Sequence, residues 1–395
     1  IDAVEYAHRR LSSRVPLEIG PLEVPPGDDP DARLRVPVDY DPLDREGRIV
    51  VTATLDARHA GHEVEARRYF PAAREAPLRS ASREELLERF PFVSFDPASG
   101  YRVGPGRWEV DGDMLVPADG RFTLEPGATL RFAAGTRLVL RQPLTARGRA
   151  DAPIRLVARD EEPWAGLVVL QAPGPSELSH VEIEGIDFPP GDGWTLTGAV
   201  TFYESDVTLT DVRIHGTLTE DALNLIRCHF HLEGFEVDGA PSDALDVDFG
   251  EGRIVRSRFL DLGGDAVDVS GTEVEVEALE IRGARDKALS VGEGSTLHGR
   301  DLRISEVGTG VASKDGSTAE VTDSRVTDVT HVAFMAYVKK PQFGPAHLSV
   351  RRVQMDRVGE VAAPVGESVV EIDGRRAMRV ELDVGRLYST GYMAK

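Results

Sequence analysis

Short runs of alternating apolar and polar residues, separated by Gly or Asp, recur about every 22 positions between Asp221 and Ala336. They read Asp221-Ala-Leu-Asn224, Asp243-Ala-Leu-Asp246-Val-Asp248, Asp265-Ala-Val-Asp268-Val-Ser270, Asp286-Lys-Ala-Leu-Ser290 and Gly308-Thr-Gly-Val-Ala-Ser-Lys314-Asp315. The offsets 221 to 243 and 243 to 265 are both 22, and Asp246, Asp268, Ser290 and Ala312 keep that spacing throughout. A fixed period of this size marks stacked supersecondary units. Runs this short, rich in Val, Leu and Ile, predict the strands of a right-handed parallel β-helix, an all-β solenoid, rather than helical repeats.

Stacking turns sequence spacing into columns, because neighbouring coils are hydrogen-bonded strands about 4.8 Å apart. Val237, Phe259 and Ile281, continued by Ile304 and Val326, form one apolar column. Side chains alternate along a strand, so Leu245 and Val247 pointing inward send Asp246 and Asp248 outward. Asn224, Asp246, Asp268 and Ser290 then make one outward column. Carboxylates on neighbouring rungs repel, which a cation, a basic side chain or a retained proton relieves.

The remaining segments divide the chain. Residues 1–78 read as a small β-rich domain, with strands at Leu34–Tyr40 and Arg48–Leu55. Residues 79–100 read as a linker with a short helix from Ser82 to Phe90, started by an N-cap Ser and early Glu residues. The solenoid spans 101–350. Residues 351–395 read as final strands, at Val369–Ile372 and Met378–Leu382, or as a cap that protects the open end.

Composition narrows the function. The chain of 395 residues carries 46 basic and 67 acidic residues, a net charge of −21. That balance argues against a general nucleic-acid surface, which needs a basic footprint. No apolar run approaches the roughly 20 residues of a membrane span. The single cysteine, Cys228, excludes an intrachain disulfide and reads as a buried apolar residue. The first residue is Ile and no signal-peptide pattern follows, so the sequence reads as a trimmed fragment.

The motifs Phe202-Tyr-Glu-Ser205, Gly264-Asp-Ala-Val-Asp-Val-Ser-Gly271, Val311-Ala-Ser-Lys-Asp-Gly316 and Ala336-Tyr-Val-Lys-Lys-Pro341, with the Asp-Ala-Leu repeats, carry a resemblance. Residues 85–390 resemble an uncharacterised bacterial family of right-handed parallel β-helix repeat proteins, associated with spore-coat kinase-like proteins. The resemblance implies an extracytoplasmic setting, whether secreted, periplasmic or surface-attached. Val311-Ala-Ser-Lys314-Asp is also locally similar to the lysine-bearing strand of β-helical polysaccharide lyases that use calcium, although Gly308 and Gly310 stand where acidic residues are expected.

The candidate chemistry follows from the columns. Asp246, Asp248 and Asp268 offer oxygen ligands for a hard cation such as Ca²⁺, or an acid and base for a glycosidic bond. Asp221, Asp243, Asp265 and Asp286 read as turn residues that accept backbone hydrogen bonds. Lys314 is the candidate base of a lyase or epimerase. Lys287, Tyr337, Lys339 and Lys340 are candidate contacts for an acidic polysaccharide or cell-surface glycan. The plainer reading of Lys287 and Lys314 is a salt bridge between stacked aspartates. His229 and His231 share a face but lack a third ligand for zinc. Against the carbohydrate-active reading stands a non-catalytic scaffold with structural aspartates.

Overall fold

The computed structural model describes residues 3–6, 9–12, 49–54, 61–66, 81–187, 196–389 and 393. The chain divides into two compact units, Ile1–Arg74 and Glu75–Lys395. In the first, four antiparallel strands pair in the order Arg9–Ser12, Ala3–Tyr6, Ile49–Thr54 and Gly61–Ala66. The expected strand at Arg48–Leu55 is there, and Leu34–Tyr40 lies outside the described residues.

The second unit is a parallel β-solenoid of about 11 turns. Its register is the one the 22-residue period demands: Leu245 sits beside Val267 and Leu289, and Asp246 beside Asp268 and Ser290. The apolar column Val237, Phe259, Ile281, Ile304, Val326 is likewise continuous. These side chains are buried, and Phe259 meets Phe235 edge-on at 6.1 Å.

The coils turn at residues in the left-handed backbone region, singly or, as at Glu293–Gly294 and Asp315–Gly316, in pairs. One such ladder contains Glu204, Arg227, Phe249 and Gly271; others run through Gly234, Arg256 and Ala278, and through Gly239, Asp261 and Gly283. Glycine suits that conformation, whereas Arg, Ala and above all Phe resist it. The stacked ladder on both sides of each bend therefore imposes what the local residue does not favour. Buried amides at these bends are met by hydroxyls of the following coil: Gly250 N donates to Thr272 Oγ1, Thr272 N to Ser295 Oγ and Ser295 N to Ser317 Oγ, at 3.0–3.2 Å. Cys228 is free and buried.

Both ends of the solenoid are finished off. The helix Arg83–Arg89 carries a complete capping box between Ser82 and Glu85. Leu86 and Phe90 bury into the same core as the coils. Residues 81–100, within the stretch expected as a linker, therefore close the end of the core, and Val93–Asp96 pairs with Gly100–Val103. At the other end Val369–Ile372 is a strand, as expected, and turns back on Arg375–Arg376. Met378–Leu382 is not a strand. It makes one bridge, Val380 to Val365, and leaves Met378 89% exposed. A helix not foreseen in the sequence, Val384–Ser389, follows.

Because Phe259 fills the core between two register partners, Phe259→Ala should cost about 3–5 kcal/mol in a denaturant melt of the solenoid. A loss under about 1 kcal/mol would contradict a packed site.

Candidate functional site

The site grows out of one sheet, built from Gly198–Tyr203, Asp221–Ile226, Asp243–Asp248, Val267–Ser270, Lys287–Gly292 and the last residues of Arg303–Lys314 and Arg325–Tyr337. Its outward column runs Thr201, Asn224, Asp246, Asp268, Ser290, Ala312, Met335, Ala363. The column changes character half-way. Ala312, Met335 and Ala363 pack with Leu387 and Met393 of the C-terminal segment, and Val384 and Tyr388 lie against them. That segment covers the apolar half of the sheet and ends beside the carboxylates.

The aspartates fall into two sets. In the first, Asp243, Asp265 and Asp286 are buried where the strands begin. Asp265 N donates to Asp243 Oδ1 at 2.8 Å, and Lys287 N to Asp265 Oδ1 at 2.9 Å. Asp243 and Asp265 thus satisfy the backbone, as the sequence suggests for turn residues, whereas Asp286 takes the Lys287 ammonium on Oδ2 and its Oδ1 accepts no hydrogen bond. The Lys287 ammonium reaches the same set, 3.3 Å from Asp265 and 2.5 Å from Asp286. Only 2% of the lysine side chain is exposed. Expected as a glycan contact, Lys287 instead occupies the plainer role of an internal salt bridge.

In the second set, Asp246 and Asp268 face outward on adjacent rungs with different partners. Asn224 Nδ2 donates to Asp246 Oδ2 at 3.0 Å. The Lys314 ammonium lies 3.4 Å from Asp268 Oδ1. Burial, followed by the charges of Asp221, Asp248 and Asp268, pushes the Asp246 carboxyl up to about 9. Burial acts on Asp268 in the same direction, but Lys314 and Lys287 outweigh it and hold its carboxyl below the usual range. At neutral pH the pair is one acid and one carboxylate. Asp248, next along the strand, is raised by burial and by Asp268 and Glu293. Burial also opposes the charge on Lys314, yet Asp268 keeps its proton on. A lyase step with Lys314 as base would have to begin by breaking that ion pair.

Three carboxylate oxygens, from Asp243, Asp265 and Asp268, lie within 4.8 Å of one another. Asp246 and Asp248, grouped with Asp268 in the calcium expectation, are outside this trio. The ammoniums of Lys287 and Lys314 already supply positive charge to Asp265 and Asp268.

The remaining expected contacts are scattered. Tyr337 is fully buried and shares a 2.5 Å hydrogen bond with Tyr388. Lys339 is exposed, with its ammonium 3.9 Å from the Tyr388 ring centre. Lys340 is engaged by Glu293. Tyr388 thus joins Tyr337 to the lysines, and the sequence reading missed it because it lies outside the repeat. His229 pairs with Asp206 and His231 with Glu233, on the surface. A cavity of about 440 Å³ lies on another face, lined by Arg253, Glu277, His298 and Arg300 among others. Its charges pair across it, Arg253 and Arg300 both with Glu277, so it offers fewer free groups than the aspartate column.

No protein-family profile matches the chain, and no curated protein sequence matches it. Among solved structures, the chain is similar to an alginate lyase from Paenibacillus sp. str. FPU-7, with 12% identity and a TM-score of 0.43 over 65% of this chain and 97% of that one. It is also similar to the catalytic domain of a GH87 alpha-1,3-glucanase, with 11% identity and a TM-score of 0.36 over 69% and 63% of the two chains. A tailspike of Acinetobacter phage vb_AbaP_AS12 matches at 8% identity and a TM-score of 0.30, over 72% and 60%. Among the described residues no helix is long and apolar enough to cross a membrane.

The two outward aspartates should respond oppositely to neutralisation. Asp246 holds its proton in the folded chain up to about 9, against a usual 3.8. Between those limits the folded state binds the proton and the unfolded state does not, so this group's contribution to stability falls as pH rises. Asp246→Asn should flatten that fall and melt no lower than the parent at pH ~8. Asp268→Asn strands Lys314 without its partner and should cost about 3–5 kcal/mol. Urea melts of the two variants at several pH values check both, and equal effects would refute the division of roles.

Proposed function

We propose that this protein is an extracytoplasmic, carbohydrate-active β-helix that hydrolyses a polysaccharide at the outward aspartates. The observation that carries the reading is the unlike partnering of Asp246 and Asp268, a side-chain amide on one and an ammonium on the other, on adjacent rungs. Glycoside hydrolysis needs such a pair: one carboxylic acid and one carboxylate. Asp246 donates its proton to the glycosidic oxygen as the bond to the anomeric carbon breaks. Asp268 attacks that carbon, and water later releases the sugar. Rung neighbours lie about 4.8 Å apart at the backbone, nearer the ~5–5.5 Å carboxyl separation of retaining enzymes than the ~6.5–9.5 Å of inverting ones. Lys314 keeps Asp268 ionised. The backbone-bonded Asp243 and Asp265 are scaffold in this reading, which gives the structural alternative its share of the aspartates.

The glycan class also shifts. The sequence suggested an acidic polymer. Beside the pair, however, stand Asp248 and Glu293, while Lys287, Lys314 and Lys340 are committed to ion pairs and the exposed Lys339 lies over the Tyr388 ring. A uronate would meet a negative face, so a neutral sugar polymer fits better.

Incubation with a panel of neutral and uronate polysaccharides tests this, reading reducing ends and unsaturated-sugar absorbance together. New reducing ends without unsaturated product are expected. Asp246→Asn should lower kcat by about 10²–10⁴-fold, the scale of a general acid. Activity should fall as pH rises through about 9, where Asp246 loses its proton, and fall in acid only where Asp268 gains one. Unsaturated product lost in Lys314→Ala would replace hydrolysis by the lyase reading, and no activity on any polymer would favour the scaffold.

A further inference from the structure

The edge of the sheet beside the aspartates has a feature the hydrolytic reading does not use. Phe249 directly follows Asp248 and is 60% exposed, in the left-handed region at φ 56°. A bulky side chain rarely takes that conformation. Its ring lies along the edge over the next rung, since a methyl group placed on Gly271 would come 2.7 Å from Phe249 Cδ1. The guanidinium of Arg227 approaches the ring to 5.4 Å from its centre.

Further along the same edge a second phenylalanine, Phe343, is 43% exposed. Its backbone covers Gly316, from which a methyl group would meet the Phe343 carbonyl at 2.6 Å. The loop bearing it is fixed from below, because the amides of Lys339 and Lys340 both donate to Asp315 Oδ1 at 2.6 Å. Between the two phenylalanines lies Gly294, where an added methyl group would meet nothing within 4 Å. Gly271 and Gly316 are two rungs apart, about 10 Å at the spacing of parallel strands. The charges in this stretch are internally matched. Glu293 accepts from Ser270 Oγ at 2.7 Å and pairs with Lys340. The result is two exposed rings along one edge whose charges are paired, adjoining the strand that bears the carboxylates.

Resting on the hydrolytic reading, we propose that this edge is the track that holds the polysaccharide: Phe249 and Phe343 stack on the apolar faces of neutral pyranose rings either side of the open Gly294. A pyranose presents C–H groups on its faces and hydroxyls at its rim, so it suits a ring below and a carboxylate such as Asp248 alongside. A uronate would instead bring its carboxylate against Asp248 and Asp268, which lie on adjacent rungs of that sheet. Both phenylalanines are positioning residues, since neither reaches the bond that breaks.

The test compares the parent, Phe249→Ala, Phe343→Ala, their double variant and Phe249→Tyr on neutral and uronate oligosaccharides. Each alanine should raise KM and the Kd measured by calorimetry about three- to tenfold, the scale of an aromatic contact, while kcat changes less than about twofold. Phe249→Tyr should restore binding, and melting temperatures should stay at the parent value because both rings are exposed. Unchanged KM and Kd in the double variant, with turnover still lost in Asp246→Asn, would overturn the track and leave the hydrolase. Weakened binding in the double variant of a parent that binds but never cleaves would uphold the track and remove the hydrolase. Tighter binding of uronates than of neutral sugars would overturn the assigned glycan class, and a parent that retains no glycan would overturn both proposals.

Discussion

Strand stacking in a parallel solenoid brings like positions into contact, and the carboxylates of this protein cannot avoid one another. From Asn224 to Ala312 the coils repeat after 22 residues, so an aspartate at one position meets the next aspartate a single rung away. Burial makes the encounter worse, because a low dielectric strengthens repulsion and penalises each unpaired charge. The chain answers in three ways on one sheet. Asp243 and Asp265 accept backbone amides from the next rung. Lys287 and Lys314 place ammoniums between layers. Asp246, bonded to an amide rather than an ammonium, keeps its proton. The unequal protonation that could serve catalysis is thus a consequence of how the stack avoids its own charge.

The C-terminal helix belongs to the same solution. A lysine buried in a sheet surface needs its partners enclosed, or water would weaken the pair. The segment carrying Leu387, Tyr388 and Met393 covers Ala312, Met335 and Tyr337 and lies close enough for Lys287 to approach the Tyr388 ring, 5.8 Å from its centre. Asp268 keeps 21% of its side chain exposed while Lys314 keeps 7%, so the ammonium is enclosed and the carboxylate it pairs with stays partly open.

How much of this was legible in the sequence follows from the same physics. Columns such as Asn224, Asp246, Asp268, Ser290 could be read directly, because a constant period converts spacing into contact. The Lys314–Asp268 pairing was readable for the same reason, two coils apart on one running face. Three things were not. The inner aspartates lie beside Asp268 only because the strands start at a bend, and strand alternation alone does not describe a bend. Tyr388 and its helix lie outside the repeat, so no period points to them. The hydroxyl ladder of Thr272, Ser295 and Ser317 has the right spacing, but small polar residues near glycines read as ordinary turns.

The bends explain why, in the proposed reading, a polymer would lie along an edge rather than a face. At the corners the backbone passes through one or two left-handed residues, and the stack holds that conformation whatever the side chain. Glycine there leaves a bare floor; a large residue there is thrown outward, since the core side is already filled by the strands it joins. Phe249 is exposed for that reason, at an energetic cost of order 1–2 kcal/mol for the left-handed backbone alone. A corner ladder can therefore be rewritten residue by residue without disturbing the core, while the neighbouring strand positions remain tied to their column. The solenoid separates the two demands of a polysaccharide site in this way. Electrostatics that need burial and exact register sit within strands, and contacts that need only exposure and spacing sit at the corners.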